Sequence, residues 1–167
     1  MYIKKYWGNY IGGTDDSLSL LDYLADKKKA ELDLSEIFSE VGLDKLNGDY
    51  TQTRAALGFT HSNGFCMDFY YAIDLVTDLA ALLLECKKNG GIHLVELAGH
   101  SAPDFVVRII ASPDDMKSIN QALMNFSEDP LAYDLCEMVP EDDMLEIAEI
   151  CRQLREELEL ETKGQHQ

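Results

Sequence analysis

His61, His93 and Asp68 are the side chains suited by type to general acid/base work, which would need them within about 3 Å of one substrate position. A metal would draw on His93, His100, Cys86 and Asp104. Zinc needs three or four converging ligands, however, and these spacings match no established pattern. Carboxylate pairs occur at Asp15-Asp16, Asp114-Asp115 and Asp142-Asp143. Each falls at the expected start of a helix, where capping and the positive end of the helix dipole account for it without catalysis. None shows the alternating oxygens and central glycine of a calcium loop. Gly12-Gly13 and Gly90-Gly91 stand without a phosphate-binding lysine or a three-glycine fingerprint, and no Gly-x-Ser-x-Gly elbow is present. No cofactor or metal is expected. With no nucleophile–base motif, an enzyme ranks below a binding protein.

Charge is the unusual property. The 167 residues hold 31 Asp and Glu against 14 Lys and Arg, a net charge of −17. Such a balance disfavours nucleic acid, whose phosphates are bound by neutralising them, and it disfavours anionic lipid. It favours solubility and attraction to a cationic partner or a metal ion. The distribution is uneven: Glu128 to Glu161 contains 13 acids opposed only by Arg152 and Arg155, a net −11 of the −17. Asp134, Glu137, Glu141, Asp142, Glu146 and Glu149 within it are the candidate partner-binding residues. The plain alternative is a solvated helix face. Tyr70, Tyr71 and Asp68 combine aromatic and acidic groups as an anchor would, although a hairpin strand packed on the next helix explains them more simply.

The elements that would position these residues are legible in patches. Tyr2–Trp7 alternates as a first strand. Thr14, Asp15 and Asp16 offer caps to a helix over Ser17–Lys28 with Leu18, Leu21, Leu24 and Ala25 as its stripe. A short helix over Ser35–Val41 ends at Gly42, in the left-handed conformation glycine allows. Ala56–His61 and Phe65–Tyr71 flank Ser62-Asn63-Gly64 as a hairpin. Ala72–Lys88 reads as a helix with Asp74, Asp78 and Glu85 on its wet side. Ile92–Leu97 and Phe105–Ala111 read as strands. Ser112-Pro113-Asp114-Asp115 announces a helix with Met116, Ile119, Leu123 and Phe126 inward. Leu131–Val139 fits no single element. Pro140 opens a last helix, Glu141–Glu161, with Met144, Ile147, Ala148, Cys151, Leu154 and Leu158 inward. The expected fold is therefore a single α+β domain over residues 1–161, with a small, mainly antiparallel sheet packed by about five helices, and a disordered tail over 162–167.

No signal peptide of the usual length and no membrane-spanning run is evident, so a cytoplasmic location is expected. There Cys66, Cys86, Cys136 and Cys151 serve as small hydrophobes rather than as disulfides. The oligomeric state is not legible.

The opening Tyr6-Trp7-Gly8-Asn9-Tyr10-Ile11-Gly12-Gly13-Thr14-Asp15-Asp16-Ser17, the central Met67-Asp68-Phe69-Tyr70-Tyr71-Ala72-Ile73-Asp74 and the closing Asp129-Pro130-Leu131-Ala132-Tyr133-Asp134 with its acidic helix resemble a family of small bacterial proteins. These are the immunity proteins of polymorphic toxin and contact-dependent inhibition systems. The resemblance runs from about Tyr2 to Leu158 and transfers no contact residue by position. It implies a cytoplasmic protein that binds a cognate toxin domain, often a nuclease, and blocks its active site or substrate entry. Two other readings use the same residues: an acidic adaptor for another basic partner, and a small enzyme built on His61, His93 or Asp68.

Overall fold

A computed structural model describes residues 5–8, 10–98 and 106–164. In chain order the elements are α1 (Asp15–Lys27), β1 (Glu31–Asp33), α2 (Leu34–Val41), β2 (Leu57–Thr60), β3 (Cys66–Phe69), α3 (Ala72–Asn89), β4 (Ile92–His93), α4 (Leu94–Ala98), β5 (Val106–Ile110), α5 (Pro113–Glu128) and α6 (Glu141–Gly164). The architecture is a single α+β domain, as expected. Its strands form two sheets instead of one.

The hairpin β2–β3 is antiparallel, pairing Leu57 with Phe69 and Thr60 with Cys66. Its turn closes where His61 N–H donates to the Phe65 carbonyl (2.7 Å) and Gly64 N–H to the His61 carbonyl (2.8 Å). The second sheet has the order β1-β5-β4. β1 runs parallel to β5, with Leu32 opposite Ile109, and β4 runs antiparallel to it, with Ile92 opposite Val107. Parallel pairing joins segments far apart in the chain, which local periodicity cannot anticipate. The strand expected over Ile92–Leu97 stops at His93, and Leu94–Ala98 turns into a helix. Leu94 and Leu97 suit a helix period, and Leu-Val-Glu-Leu-Ala consists mostly of good helix formers. Of the expected strand Tyr2–Trp7, residues 2–4 lie outside the described residues, and Lys5–Trp7 form a turn with an isolated bridge from Trp7 to Ile11 instead of a strand; the loop before β5 lies outside the described residues.

Helix α3 is the centre of the molecule, packed by α1, α5, α6, β4 and β5. Every residue from Ala72 to Cys86 is buried, including Asp74, Thr77, Asp78 and Glu85. The expected wet side is therefore wrong. The run Leu79-Ala80-Ala81-Leu82-Leu83-Leu84 is apolar on all sides, the pattern of an enclosed helix rather than an amphipathic one.

Around this axis the other helices behave largely as their stripes dictate. In α6 Met144, Ile147, Ala148, Cys151, Leu154 and Leu158 are all buried, and in α5 so are Met116, Ile119, Leu123 and Phe126. Helix α5 begins with a reciprocal cap: Ser112 Oγ accepts from Asp115 N–H, and Asp115 accepts from Ser112 N–H, both at 3.1 Å. Thr14 and Ser17 form the same box on α1. There the buried stripe is rotated from the expected one. Leu20, Leu21, Tyr23 and Leu24 face inward with Asp16 and Ser17, while Leu18 is 62% exposed. Gly42 closes α2 at φ +95°, as expected. The segment Leu131–Val139 resolves into 3₁₀ turns at Pro130–Ala132 and Asp134–Glu137, and α6 runs past its expected end, to Gly164. All four thiols are free, Cys86 and Cys151 buried, Cys66 and Cys136 exposed, so the small-hydrophobe role holds for two of them.

Candidate functional site

The outer surface of α6 gathers much of the C-terminal charge. Asp142, Glu146, Glu149 and Glu156 follow one another at spacings of four, three and seven, which places them on one face. All four are exposed, with exposed Glu141 at the start of the helix. Leu145 (49% exposed) and Leu160 (69%) lie among them. The face is supported from the N-terminal segment. Tyr10 donates its hydroxyl to Asp143 (3.0 Å) and Glu146 (3.1 Å), and these acceptors push its pKa up to about 12. Lys5 and the buried Tyr6 both donate to Glu157, at 2.6 and 2.5 Å. Glu149 pairs with Arg152 one turn on. Of the six candidate residues the structure thus brings Asp142, Glu146 and Glu149 together, with Glu141 at the edge. Asp134 and Glu137 stand apart, in the 3₁₀ turn ahead of the helix. Glu137 is exposed and Asp134 half-buried.

Asp134 belongs to a second polar region, at the N-terminus of α3. Its carboxylate accepts from Thr53 N–H at 2.9 Å, and its own amide donates to the Thr51 carbonyl at 2.8 Å. Thr53 Oγ1 in turn accepts from Ala72 N–H at 3.0 Å. Helix α3 has no side-chain cap from its own N-cap residue, Tyr71, so Thr53 supplies one from a distant loop. From the other side Asp16 accepts from the amides of both Tyr70 and Tyr71 at 2.9 Å. About two turns deeper, Asp78 accepts from Gly12 N–H (2.9 Å) and Ser17 Oγ–H (2.7 Å). Gly12 sits at φ +80°, and a Cβ there would collide with the Trp7 indole. The opening and central segments that carry the family likeness therefore meet through Asp16, and Asp78, just beyond the central segment, holds the opening one a second time.

Burial dominates the chemistry of these acids. It pushes Asp74 up to about 8, with Asp78, Asp16 and Asp134 adding like-charge repulsion. It pushes Asp78 up to about 7 against its two hydrogen bonds, and it raises Asp16 against the two tyrosine amides. Sequence reasoning placed none of these three acids inside. For Asp74 and Asp78 the available signal was Asp-x-x-x-Asp directly ahead of the run Leu79–Leu84, which is apolar on every side.

The acid/base candidates do not converge on one another. His61 lies 3.3 Å from Asp26 and 3.6 Å from Asp22, on α1. Asp26 also accepts from the amide and hydroxyl of Ser62, which hold its carboxyl below the ordinary range. The Ser62 hydroxyl donates to Asp26 rather than to the imidazole, so no nucleophile–base pair arises, and the group ties the hairpin turn to α1. Asp68 is exposed on β3, in the hairpin sheet, and His93 on β4, in the other sheet. Among the described residues no group of three or more His, Cys, Asp or Glu could hold a metal ion, and no helix is long and apolar enough to cross a membrane. His100 and Asp104 lie outside the described residues.

The described residues thus form a small helical α+β domain with an acidic outer helix. The chain matches the model of the Immunity protein 68 family over residues 2–158 and belongs to that family. No curated protein and no solved structure matches it. Membership implies toxin neutralisation in general, a toxin protein as partner, and a role in binding rather than catalysis.

Proposed function

We propose that this protein protects the cytoplasm by binding a basic cognate toxin domain through the outer face of α6, and that the toxin acts on nucleic acid. The observation that carries the reading is the single face made by Asp142, Glu146, Glu149 and Glu156, with Leu145 and Leu160 exposed among them. A nuclease presents cationic surface to phosphate, and an acidic face competes for that surface. Long-range attraction speeds encounter, and desolvated apolar groups slow dissociation. The test is association with the toxin domain encoded beside this gene, measured across salt. The rate should fall about tenfold or more as salt rises, and fall similarly when Glu141, Asp142, Glu146 and Glu149 are reversed to lysine. An unchanged rate in that variant removes the face from the mechanism. Failure of the chain to rescue cells expressing the toxin domain removes the function.

A further inference from the structure

Two tyrosines away from α6 are buried without a partner for the phenol. Tyr50 is 7% exposed and Tyr133 4%, and neither hydroxyl makes a hydrogen bond among the described residues. Neither oxygen is closed to solvent, so the polar tip is part of what little of each residue is exposed. A buried tyrosine usually finds a partner for its O–H. Both residues line one cavity of about 390 Å³, together with Asp49, Thr51, Asn125 and Asp129. Each ring is held edge-on by a neighbour, Tyr50 by Phe38 (6.5 Å between centroids) and Tyr133 by Phe126 (4.9 Å). The loop that delivers Tyr50 turns at Asn47 and Gly48, at φ +52° and +83°. These two and Tyr50 also line a larger cavity of about 590 Å³, so the two cavities adjoin. Leu34, Phe38 and Ala122 give the larger one an apolar floor, with Asp44 and Asp115 on its walls. Together they make a trough between α5 and the α2 side of the molecule, running along α5 from Ser118 to Asp129, about 16 Å.

The chemistry of the trough selects its occupant. Burial raises the Tyr50 phenol, and burial with Asp49 and Asp129 pushes Tyr133 up to about 12, so both stay neutral and accept through oxygen. Asp49 takes the Thr51 hydroxyl (2.5 Å) and amide (3.1 Å) on one oxygen, which hold its carboxyl below the ordinary range. Its second oxygen is unengaged among the described residues. Lys117 is the single cation among the described lining residues, against Asp44, Asp49, Asp115 and Asp129. A guanidinium fork is best met by both oxygens of one carboxylate. Separate phenol and carboxylate oxygens suit the three splayed donors of an ammonium. A trough of this length takes roughly five residues of extended chain.

We infer that this trough receives an extended basic segment of the cognate toxin, one lysine of which seats its ammonium against the Tyr50 and Tyr133 hydroxyls and Asp49, while α6 steers the approach. The inference rests on the partner being a basic toxin, but it can fail alone. The enclosed phenols supply the few desolvated contacts that dominate an interface, where rim charges contribute little.

The probe is a hexalysine peptide, acetylated at one end and amidated at the other, titrated into the full chain at about 0.3 M salt, where diffuse attraction is screened to within roughly 6 Å. Tyr50→Phe with Tyr133→Phe keeps both rings and removes only the two oxygens, and it should weaken binding at least about tenfold. Ser118→Trp, at an exposed position, fills the trough from α5 with both phenols left in place and should weaken it as much. Neutralising α6 by Asp142→Asn, Glu146→Gln and Glu149→Gln should weaken it less than about threefold. Peptide-induced NMR shifts should include the rings of Tyr50 and Tyr133. Unchanged affinity in either trough variant, or shifts confined to α6, would overturn the trough and leave the steering face standing. Equal affinity for hexa-arginine would overturn the choice of lysine. Spermidine that binds as tightly, with the same dependence on the phenols, would overturn the protein segment as occupant in favour of a free polyamine. Cell rescue is read separately: its loss in the phenylalanine pair supports the trough, whereas a wild-type chain that fails to rescue removes the toxin reading itself.

Discussion

Helices α3 and α6 each carry several carboxylates, and the two sets do opposite things. On α6 Asp142, Glu146, Glu149 and Glu156 stand in water, where an acid costs the fold little and contributes a field felt at a distance. On α3 Asp74 and Asp78 are enclosed, where each must be hydrogen-bonded, neutralised or matched by a cation. Asp78 answers this by holding Gly12 and Ser17. Asp74 has no such answer among the described residues and is pushed toward its neutral form. Residue type does not assign the role; the medium around the carboxyl does.

The sharpest way to break this contrast is Asp78→Ala, which leaves a buried amide and hydroxyl without an acceptor. It should cost about 2–4 kcal/mol in urea unfolding, whereas a loss below about 1 kcal/mol would make the lock to Gly12 and Ser17 incidental. Next in size, lysine at Glu141, Asp142, Glu146 and Glu149 should slow toxin association about tenfold while changing stability by no more than about 1 kcal/mol. If the variant unfolds, the outer face is structural after all. The pH dependence of stability separates the helices further. Asp74 binds its proton in the fold up to about pH 8, while in the unfolded chain it releases it near 3.8. The folded state then holds more protons between those values, so this contribution to stability is full below about pH 4 and is lost as pH rises toward 8. Asp74→Asn should remove that slope and leave the variant more stable than wild type by at least about 1 kcal/mol at pH 8; parallel curves would refute it. The smallest effect expected is from Thr53→Val, which deprives α3 of its borrowed cap and should cost about 1 kcal/mol.

Much of the frame was legible locally. The hairpin turn at Ser62-Asn63-Gly64, the Ser112–Asp115 cap and the inward stripes of α5 and α6 follow from rules that operate within a few residues. The acidic outer face was legible for the same reason, since helix periodicity places Asp142, Glu146 and Glu149 together once the helix is granted. The polar region at the N-terminus of α3 was not. It draws on α1, the loop at Thr51–Thr53, the start of α3 and the 3₁₀ turn at Asp134–Glu137, and no spacing joins them. The rotated stripe of α1 belongs here too: Leu18 and Leu20 fit helical periods equally well, and the hydrogen bonds of Asp16 and Ser17 to distant partners set the choice.

Composition and short-range pattern alone settle an α+β chain of strong negative charge, with its acids concentrated on the last helix. Tertiary structure alone decides which acids are wet, because solvent exposure depends on what packs against a helix rather than on its own residues. Helix α3 is enclosed by partners from both ends of the chain, and that enclosure turns two ordinary aspartates into buried carboxyl groups, one of which locks Gly12 and Ser17 to the helix.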